Sequence, residues 1–237
     1  MCHHPVVDLW TVQLGRVPYA EALALQERLR AARQADAIPD TVLILEHPPV
    51  YTRGKRSDPA ELPLGEAWYR DRGIEIVDVD RGGKVTYHGP GQLVAYPIAR
   101  VTDVLGFVSR LEEAMVAALG QEGVTARGRA RDGREFTGTW VGDRKIGSIG
   151  LHVSKGVTTH GLSVNVDNDM TPFEWIVPCG LGGVAMTSVA METDAEGARL
   201  PCFRKRMGHE LARALGARQR LVTPARLARE LAGLTVG

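Results

Sequence analysis

The sequence predicts a mixed α/β fold of the α+β kind, on two observations. Short segments with strand character fall into two groups along the chain, and helical segments lie between and after these groups instead of alternating with single strands. The chain has 237 residues, 44% of them hydrophobic and 24% charged, which is an ordinary globular composition without linkers, internal repeats or low-complexity segments. We therefore expect residues 1–237 to form a single domain.

The first half of the chain predicts strands around one helix. Residues 18–36 carry Ala22, Leu25, Leu29 and Ala32 at helical spacing, so a helix is expected there. Other segments either alternate between apolar and polar residues or are continuously apolar, as strands are. These segments are 6–13, 41–46, 74–79 and 93–98.

The second half predicts one long helix and a meander. A clear apolar stripe at helical spacing begins at Val104, and Thr102 and Asp103 precede it as potential N-caps. The next segments with strand character are short and separated by turn-like gaps, which predicts a meander. They are 137–141, 145–153 and 158–166.

Helices are expected again toward the C-terminus. Thr171 is the expected cap of a short helix that has Pro172 at its first position. Two longer helices are expected within 203–235, and Thr223 with Pro224 begins the second of them.

Net charge, apolar runs and cysteine content argue against several classes of protein. The net charge of +1 favours neither nucleic acid nor a membrane surface as a partner, and the longest apolar runs, such as 42–45, are far too short to span a bilayer. The N-terminus shows no secretory signal, so a cytoplasmic protein is expected. Cys2, Cys179 and Cys202 are odd in number and widely spaced, which argues against a disulfide framework. Cys202 is expected to be a packed thiol.

The most unusual segment is 81–92, which concentrates glycines, a proline, a histidine and two cations between two predicted strands. Glycine permits positive φ and close approach of the backbone to another group, so one interpretation is the wall of a ligand site. The other interpretation is a long glycine-rich hairpin turn, and the residues alone favour neither.

Cys179 is the candidate nucleophile, because it lies between a proline and several glycines in a turn, where backbone N–H groups can face an exposed thiol. A thiol needs a neighbouring base or cation to react at neutral pH. The basic side chains that could supply it are Lys145, His88, His160 and Lys155. A lone lysine at a strand edge is otherwise expected at the surface. No metal-binding, phosphate-loop or serine-hydrolase motif is present, so no metal and no cofactor are expected.

The segment 127–134 is rich in arginine. It carries Arg127, Arg129, Arg131 and Arg134, with Asp132 as its only acid. A solvated loop is one interpretation, and a docking patch for an acidic partner is the other.

Four separate strings resemble the lipoyl(octanoyl) transferases, and their order and separation match that family as well. The strings are Arg81-Gly82-Gly83-x-x-Thr86-Tyr87-His88-Gly89-Pro90-Gly91-Gln92, Lys145-Ile146-x-Ser148-Ile149-Gly150, His160-Gly161-Leu162-x-x-Asn165-Val166 and Pro178-Cys179-Gly180. The resemblance runs over 43–188. It implies a lipoate/biotin protein ligase-like α/β domain, in which a mixed sheet and flanking helices surround an acyl-binding pocket.

The same resemblance implies transfer of an octanoyl group from octanoyl-acyl carrier protein to a specific lysine of a lipoyl domain. The implied acceptors are the lipoyl domains of 2-oxoacid dehydrogenase E2 subunits and the glycine cleavage H protein, and the enzyme is expected to be a monomer. Cys179 would form a thioester with the acyl group, and Lys145 would stabilise its thiolate and shuttle protons. Two alternatives remain open: an ATP-dependent lipoate or biotin ligase, and a non-catalytic acyl-binding protein.

The family's substrate-binding positions map onto three segments of this chain, whose small residues suit an apolar acyl chain. They are Arg81, Gly82, Gly83, Lys84, Val85, Thr86, Tyr87, His88, Ser148, Ile149, Gly150, Gly161, Leu162 and Ser163. The chain departs from its relatives at one point, since they commonly have Gly-Val-Trp where it has Gly138-Thr139-Trp140. This departure bears on local packing more than on activity.

Overall fold

An eight-stranded mixed sheet forms the centre of the molecule, in a computed structural model that describes residues 7–177, 184–193 and 199–234. The strand order is β11-β1-β2-β6-β10-β9-β8-β7. β1 pairs in parallel with β11 and β2, and every other neighbouring pair in this sheet is antiparallel. The strands are β1 (Asp8–Arg16), β2 (Thr41–Glu46), β6 (Gln92–Ile98), β7 (Arg127–Gly128), β8 (Gly138–Val141), β9 (Arg144–Ser154), β10 (Val157–Asn165) and β11 (Arg218–Leu221).

A second, smaller sheet holds the remaining described strands. It has the order β4-β3-β5 and is built from β3 (Val50–Arg53), β4 (Glu75–Asp78) and β5 (Thr86–His88). The helices are α1 (Tyr19–Gln34), α2 (Glu66–Arg70), α3 (Val104–Gly120), α4 (Thr171–Glu174), α5 (Val189–Thr193), α6 (Leu200–Ala214) and α7 (Pro224–Ala232).

Helices cover both faces of the large sheet, because its central strands are apolar on both sides. In β2, Val42 and Ile44 pack in one core cluster with α3 and α6, whereas Leu43 and Leu45 pack in a second cluster with α1 and α7. Alternate residues of a strand point to opposite faces, so a continuous apolar run is required where both faces are buried. A third cluster lies beneath the small sheet and is rich in aromatic residues.

The predicted fold class is confirmed, and so are the best-defined elements. The meander is β8, β9 and β10, and α3 begins after Asp103, whose side chain accepts a hydrogen bond from the Gly106 N–H at 2.9 Å. Thr223 caps α7 in the same way, by accepting from the Arg226 N–H at 3.2 Å. No helix in the described part of the chain is long and apolar enough to cross a membrane.

Several expectations were wrong. The hairpin interpretation of 81–92 fails, because the strands on either side belong to different sheets: β4 to the small sheet and β6 to the large one. Thr171 is the first residue of α4 and not its cap, which is Met170. Cys202 is exposed and not packed. β3, β5 and β11 were not predicted, and β11 joins the C-terminal segment to the edge of the large sheet.

Candidate active site

A cavity of about 380 Å³ lies where the glycine-rich segment meets β9 and β10. Its walls come from distant parts of the sequence, including Tyr19 of α1, Tyr96 of β6, Val104 and Val108 of α3, and the segment around Thr137. The three described motifs of the sequence therefore converge on a single space.

Arg81 fixes the glycine-rich segment through a buried guanidinium group. Its Nη2 donates to the Thr52 carbonyl at 2.7 Å and to the Thr52 hydroxyl at 2.6 Å. The next residue, Gly82, donates its N–H to the Leu151 carbonyl of β9 at 2.9 Å. Gly150 faces this junction, and a Cβ there would lie 2.9 Å from the Gly82 oxygen. Only glycine at this position lets the two backbones approach so closely.

A group of buried rings, the histidine–tyrosine cluster, lies at one end of the cavity. It consists of Tyr19, His47, His88, Tyr96 and His160, with centroids of neighbouring rings 5.0 to 6.5 Å apart. His47 donates from Nδ1 to the Val17 carbonyl at 2.7 Å, so its Nε2 accepts from the Tyr96 hydroxyl at 2.7 Å. His160 Nε2 lies 2.7 Å from Asp80 Oδ1, and its Nδ1 lies 3.3 Å from the Tyr19 hydroxyl.

Burial keeps this cluster uncharged. Desolvation lowers the pKa of His47 to about 4 and that of His88 to about 3. It also lowers the pKa of His160, although Asp80 opposes this effect. Desolvation raises the pKa of Tyr19 to about 12. At neutral pH the cluster is thus a set of neutral rings, which suits an apolar ligand beside it.

A chain of hydrogen bonds sets the tautomer of His88. Gln92 donates from Nε2 to the Tyr87 carbonyl at 3.1 Å and to Asn165 Oδ1 at 2.8 Å, so its Oε1 accepts from His88 Nδ1 at 2.7 Å. Asn165 in turn donates to the Thr187 carbonyl at 3.0 Å. His88 therefore carries its proton on Nδ1, and its Nε2 is left as an acceptor.

Lys145 is the second residue of β9 and is buried, with 2% of its surface exposed. Its main chain is bonded to the segment after the Pro178-Cys179-Gly180 motif, through N–H to the Ala185 carbonyl at 2.9 Å and through its carbonyl to the Thr187 N–H at 3.0 Å. Its Nζ is 5.3 Å from the centre of the Trp140 ring, within the range of a cation–π interaction. The expectation of a surface lysine is wrong.

The histidine–tyrosine cluster and Lys145 thus occupy separate ends of the site. Leu151, six positions along β9 from Lys145, is paired with His160. At about 3.3 Å per residue the two positions are about 20 Å apart along the strand. The arrangement can hold an extended apolar chain between the ring cluster and Lys145.

The cavity lining includes the predicted substrate-binding residues except two. Val85 and Tyr87 belong to the third core cluster, beneath the small sheet. Among the basic candidates, His88, His160 and Lys145 line the cavity, whereas Lys155 lies in the turn between β9 and β10. The predicted nucleophile Cys179 lies outside the described residues, as does Cys2.

Some cavity residues were missed because their sequence signals indicated core. Tyr19, Tyr96, Val104 and Val108 lie in periodic or continuous apolar segments, where a lining residue and a packed residue look alike. Only Val104 and Val108, spaced by four on α3, could have been noticed as neighbours on one helix face.

The arginine-rich segment is only partly a solvated loop. Arg129 has 15% of its side chain exposed, lies over the Phe136 and Trp140 rings at 4.4 and 4.7 Å, and pairs with Asp132 at 2.8 Å. Arg134 lines the cavity. In the described ranges, no group of three or more His, Cys, Asp or Glu side chains is placed to hold a metal ion.

Comparison with known proteins agrees with the motifs. A family model described as the lipoyl protein ligase A/B catalytic domain matches residues 18–212. The chain is 43% identical over 212 residues to the octanoyltransferase of Thermobifida fusca, which covers 85% of this chain and 86% of that protein. It is 44% identical over 193 residues to the mitochondrial octanoyltransferase of Arabidopsis thaliana, which covers 79% of this chain and 80% of that protein.

Solved structures agree with the fold. Lipoate-protein ligase A bound with ATP superposes with a TM-score of 0.73 at 19% identity, covering 94% of each chain. A bi-partite lipoate protein ligase from Thermoplasma acidophilum gives a TM-score of 0.73 at 18% identity, covering 95% of this chain and 91% of that one. From the family model and the relatives that are 43% and 44% identical over the aligned residues, we conclude that the chain belongs to the lipoyl protein ligase A/B catalytic domain family.

Proposed function

We propose that the protein is an octanoyltransferase of protein lipoylation. It takes an octanoyl group from octanoyl-acyl carrier protein, holds it as a thioester on Cys179, and transfers it to a lysine of a lipoyl domain. The names of its relatives support the octanoyl group, since those at 43% and 44% identity are octanoyltransferases. The similar ligase from Thermoplasma acidophilum belongs to an archaeal lipoylation system together with its E2 lipoyl domain, which supports a lipoyl domain as acceptor.

One observation carries the proposal: a buried lysine lines the same cavity as the glycine-rich segment. A cavity lined by uncharged rings in one part and by Lys145 in another matches an acyl group whose reacting carbon needs a proton donor nearby. Cys179 precedes Ala185, which is bonded to the Lys145 main chain, by six positions. At no more than about 3.6 Å per residue, this length of chain can bring the thiol and the ammonium group together.

In the first half-reaction the Cys179 thiolate attacks the thioester carbonyl of the donor. A bond from sulfur to the acyl carbon forms, and the bond from that carbon to the carrier's sulfur breaks. The ammonium of Lys145 stabilises the thiolate before attack and gives its proton to the departing thiolate. One thioester replaces another, so this step requires no nucleotide.

In the second half-reaction the neutral amine of the acceptor lysine attacks the Cys179 thioester. A carbon–nitrogen bond forms, the carbon–sulfur bond breaks, and Lys145, neutral after the first step, takes the proton that the amine loses. Octanoyl-lysine leaves, and the thiolate–ammonium pair is restored. The proposal keeps the expectation of a cytoplasmic monomer, and light scattering after size-exclusion chromatography tests the monomer.

The experiment supplies an apo-lipoyl domain with either of two donors. With octanoyl-acyl carrier protein and no ATP, we expect octanoyl-lysine to form. Free octanoate with ATP is expected to give no product. Product from octanoate and ATP, with none from octanoyl-acyl carrier protein, would show that the protein is an ATP-dependent ligase instead. Failure with both donors, together with tight binding of octanoate, would indicate a non-catalytic acyl-binding protein.

A further inference from the structure

A buried carboxylate that the proposed chemistry does not use lies behind Lys145. Glu112 is on α3, within the apolar stripe of that helix, and only 6% of its surface is exposed. Burying a carboxylate is costly unless it is hydrogen-bonded or paired with a cation, so a buried glutamate in an apolar stripe requires an explanation.

The glutamate side chain joins the two ends of the segment 127–138 by hydrogen bonds. Its Oε1 accepts three backbone N–H groups, from Arg129 at 3.2 Å, Ala130 at 2.9 Å and Gly138 at 2.8 Å. The first two donors lie at the start of the segment and the third at its end. One oxygen atom thus holds together both arms of a segment that contributes Arg134 and Thr137 to the cavity.

Gly138 connects this anchor to Lys145. It has a φ of 128°, and a Cβ at this position would lie 3.1 Å from Lys145 Cε, so the lysine stem runs directly over it. The carboxylate of Glu112 also attracts the Lys145 ammonium electrostatically. The backbone that Glu112 fixes is therefore the surface on which the lysine side chain lies.

We propose that Glu112 is a positioning residue for proton transfer by Lys145. Its carboxylate holds the 127–138 segment under the lysine stem and places a negative charge behind the ammonium group. The inference deepens the proposed function and rests on it.

Charged groups on the elements packed against α3 include several that pair with residues other than Glu112. Arg127 and Arg129 both pair with Asp132, at 3.3 and 2.8 Å. On α6, which packs against α3, Glu210 accepts from Gln121 and Arg206 pairs with Glu122, both near the C-terminal end of α3. Burial raises the pKa of Glu112, while the three N–H donors and Lys145 oppose this effect by favouring the ionised form.

The test is the pH profile of kcat/KM for octanoyl transfer by Glu112→Gln. The glutamine keeps an oxygen that can accept the same three N–H groups, but it removes the charge. Losing a negative charge eases both formation of the thiolate and loss of the ammonium proton. We therefore expect both limbs of the bell-shaped profile to move to lower pH by about half a unit. A profile that falls in height without moving would show that Glu112 is only structural and overturn the proposal.

Two variants serve as controls. Glu113→Gln removes the same charge from the exposed neighbouring position, and we expect its profile to coincide with that of the wild type. Glu112→Asp keeps the charge but shortens the side chain, so we expect lower activity at an unmoved pH optimum. An optimum that moves as far in Glu112→Asp as in Glu112→Gln would contradict a role for the charge.

A second measurement separates this inference from the proposed function. The reactivity of Lys145 toward an amine-modifying reagent is followed against pH by peptide mass spectrometry, without any substrate. We expect Lys145 to become reactive at lower pH in Glu112→Gln than in the wild type. Identical curves would refute the inference even if transfer occurs. A shifted curve without transfer would refute the proposed function and leave the inference standing.

Discussion

The two ends of the cavity hold their buried polar groups in opposite ways. In the histidine–tyrosine cluster, His47 and His88 are neutral at physiological pH, and both ring nitrogens of His47 and Nδ1 of His88 bond to uncharged partners. At the other end, Lys145 and Glu112 are a cation and a carboxylate, both almost fully buried. Neutral groups can line a binding surface at little cost, whereas a buried charge needs a compensating partner or a use in a reaction. The difference supports the proposal that one end binds and the other performs the chemistry.

The largest effect is expected from removing charge at the reactive end. Lys145→Met keeps the length of the stem but deletes the ammonium, so kcat/KM should fall by at least about 100-fold, as for loss of a general acid and base. His88→Gln in the neutral cluster should act mainly through KM and change kcat by less than about tenfold. Initial rates of octanoyl transfer measure both. An equal loss of kcat in the two variants would abolish the distinction between the ends.

A smaller effect on activity is expected from a substitution at Gly150, where β9 contacts the glycine-rich segment between the two ends of the cavity. Gly150→Ala places a methyl group 2.9 Å from the Gly82 oxygen and 3.1 Å from Arg81 Cδ, so the glycine-rich segment must shift. We expect KM for the donor to rise and the free energy of unfolding to fall by about 1–3 kcal/mol.

Gly120→Ala is the control for this change. Gly120 has nothing within 4 Å of an added Cβ, so KM should not change. If Gly150→Ala behaves like Gly120→Ala in steady-state kinetics and urea unfolding, the segment is not held against β9 as described.

The low pKa of the buried histidines in the histidine–tyrosine cluster also predicts how stability depends on pH. The pKa of His47 is about 4 in the folded protein and 6.5 in an unfolded chain, so between these values the unfolded state binds more protons. The free energy of unfolding should therefore fall as pH falls from 7 toward 4, by up to about 1.4 kcal/mol per pH unit for each such histidine. In urea unfolding across this range, His47→Gln should flatten the dependence. The exposed His209→Gln should leave it unchanged, and equal slopes in all three proteins would refute a neutral buried His47.

The smallest effect concerns Thr139, the residue that departs from the family's Gly-Val-Trp pattern. It is fully buried, and its hydroxyl has no hydrogen-bond partner among the residues that the structure describes. Thr139→Val should therefore stabilise the protein by about 1 kcal/mol.

Thr158→Val is the matched control. Thr158 is equally buried, but its hydroxyl donates to the Pro97 carbonyl at 2.6 Å and accepts from the Ala99 N–H at 3.0 Å. This variant should lose about 1–2 kcal/mol. Thermal unfolding that ranks the two variants in the opposite order would contradict the assignment of Thr139 as unpaired.

The sequence predicted the walls of the site better than its ends. The glycines in 81–92 indicated either a turn or close backbone approach, and the family resemblance, which also covers Gly150, favoured the second. Tyr19 and Tyr96 gave no such signal, because a ring beside a cavity and a ring in a core fit the same apolar pattern. Glu112 was invisible for a related reason: a single acid on a helix usually faces solvent, and only the folded chain brings three N–H groups to it.

Local geometry explains two of the wrong expectations. Cys202 lies one position before Phe203, which shares an apolar stripe with Met207 and Leu211. One residue turns a helix by about 100°, so the thiol faces away from the core. β3 and β5 were not predicted, because β3 follows Pro48 and Pro49 directly and β5 has only three residues inside the glycine-rich segment.

The decisive measurement for a covalent octanoyl-enzyme is the intact mass of the protein after incubation with octanoyl-acyl carrier protein. We expect an increase of one octanoyl group for the wild type and for Cys202→Ala, which removes the exposed thiol, but no increase for Cys179→Ala. An octanoyl adduct that persists in Cys179→Ala, or that disappears in Cys202→Ala, would contradict acyl transfer through Cys179.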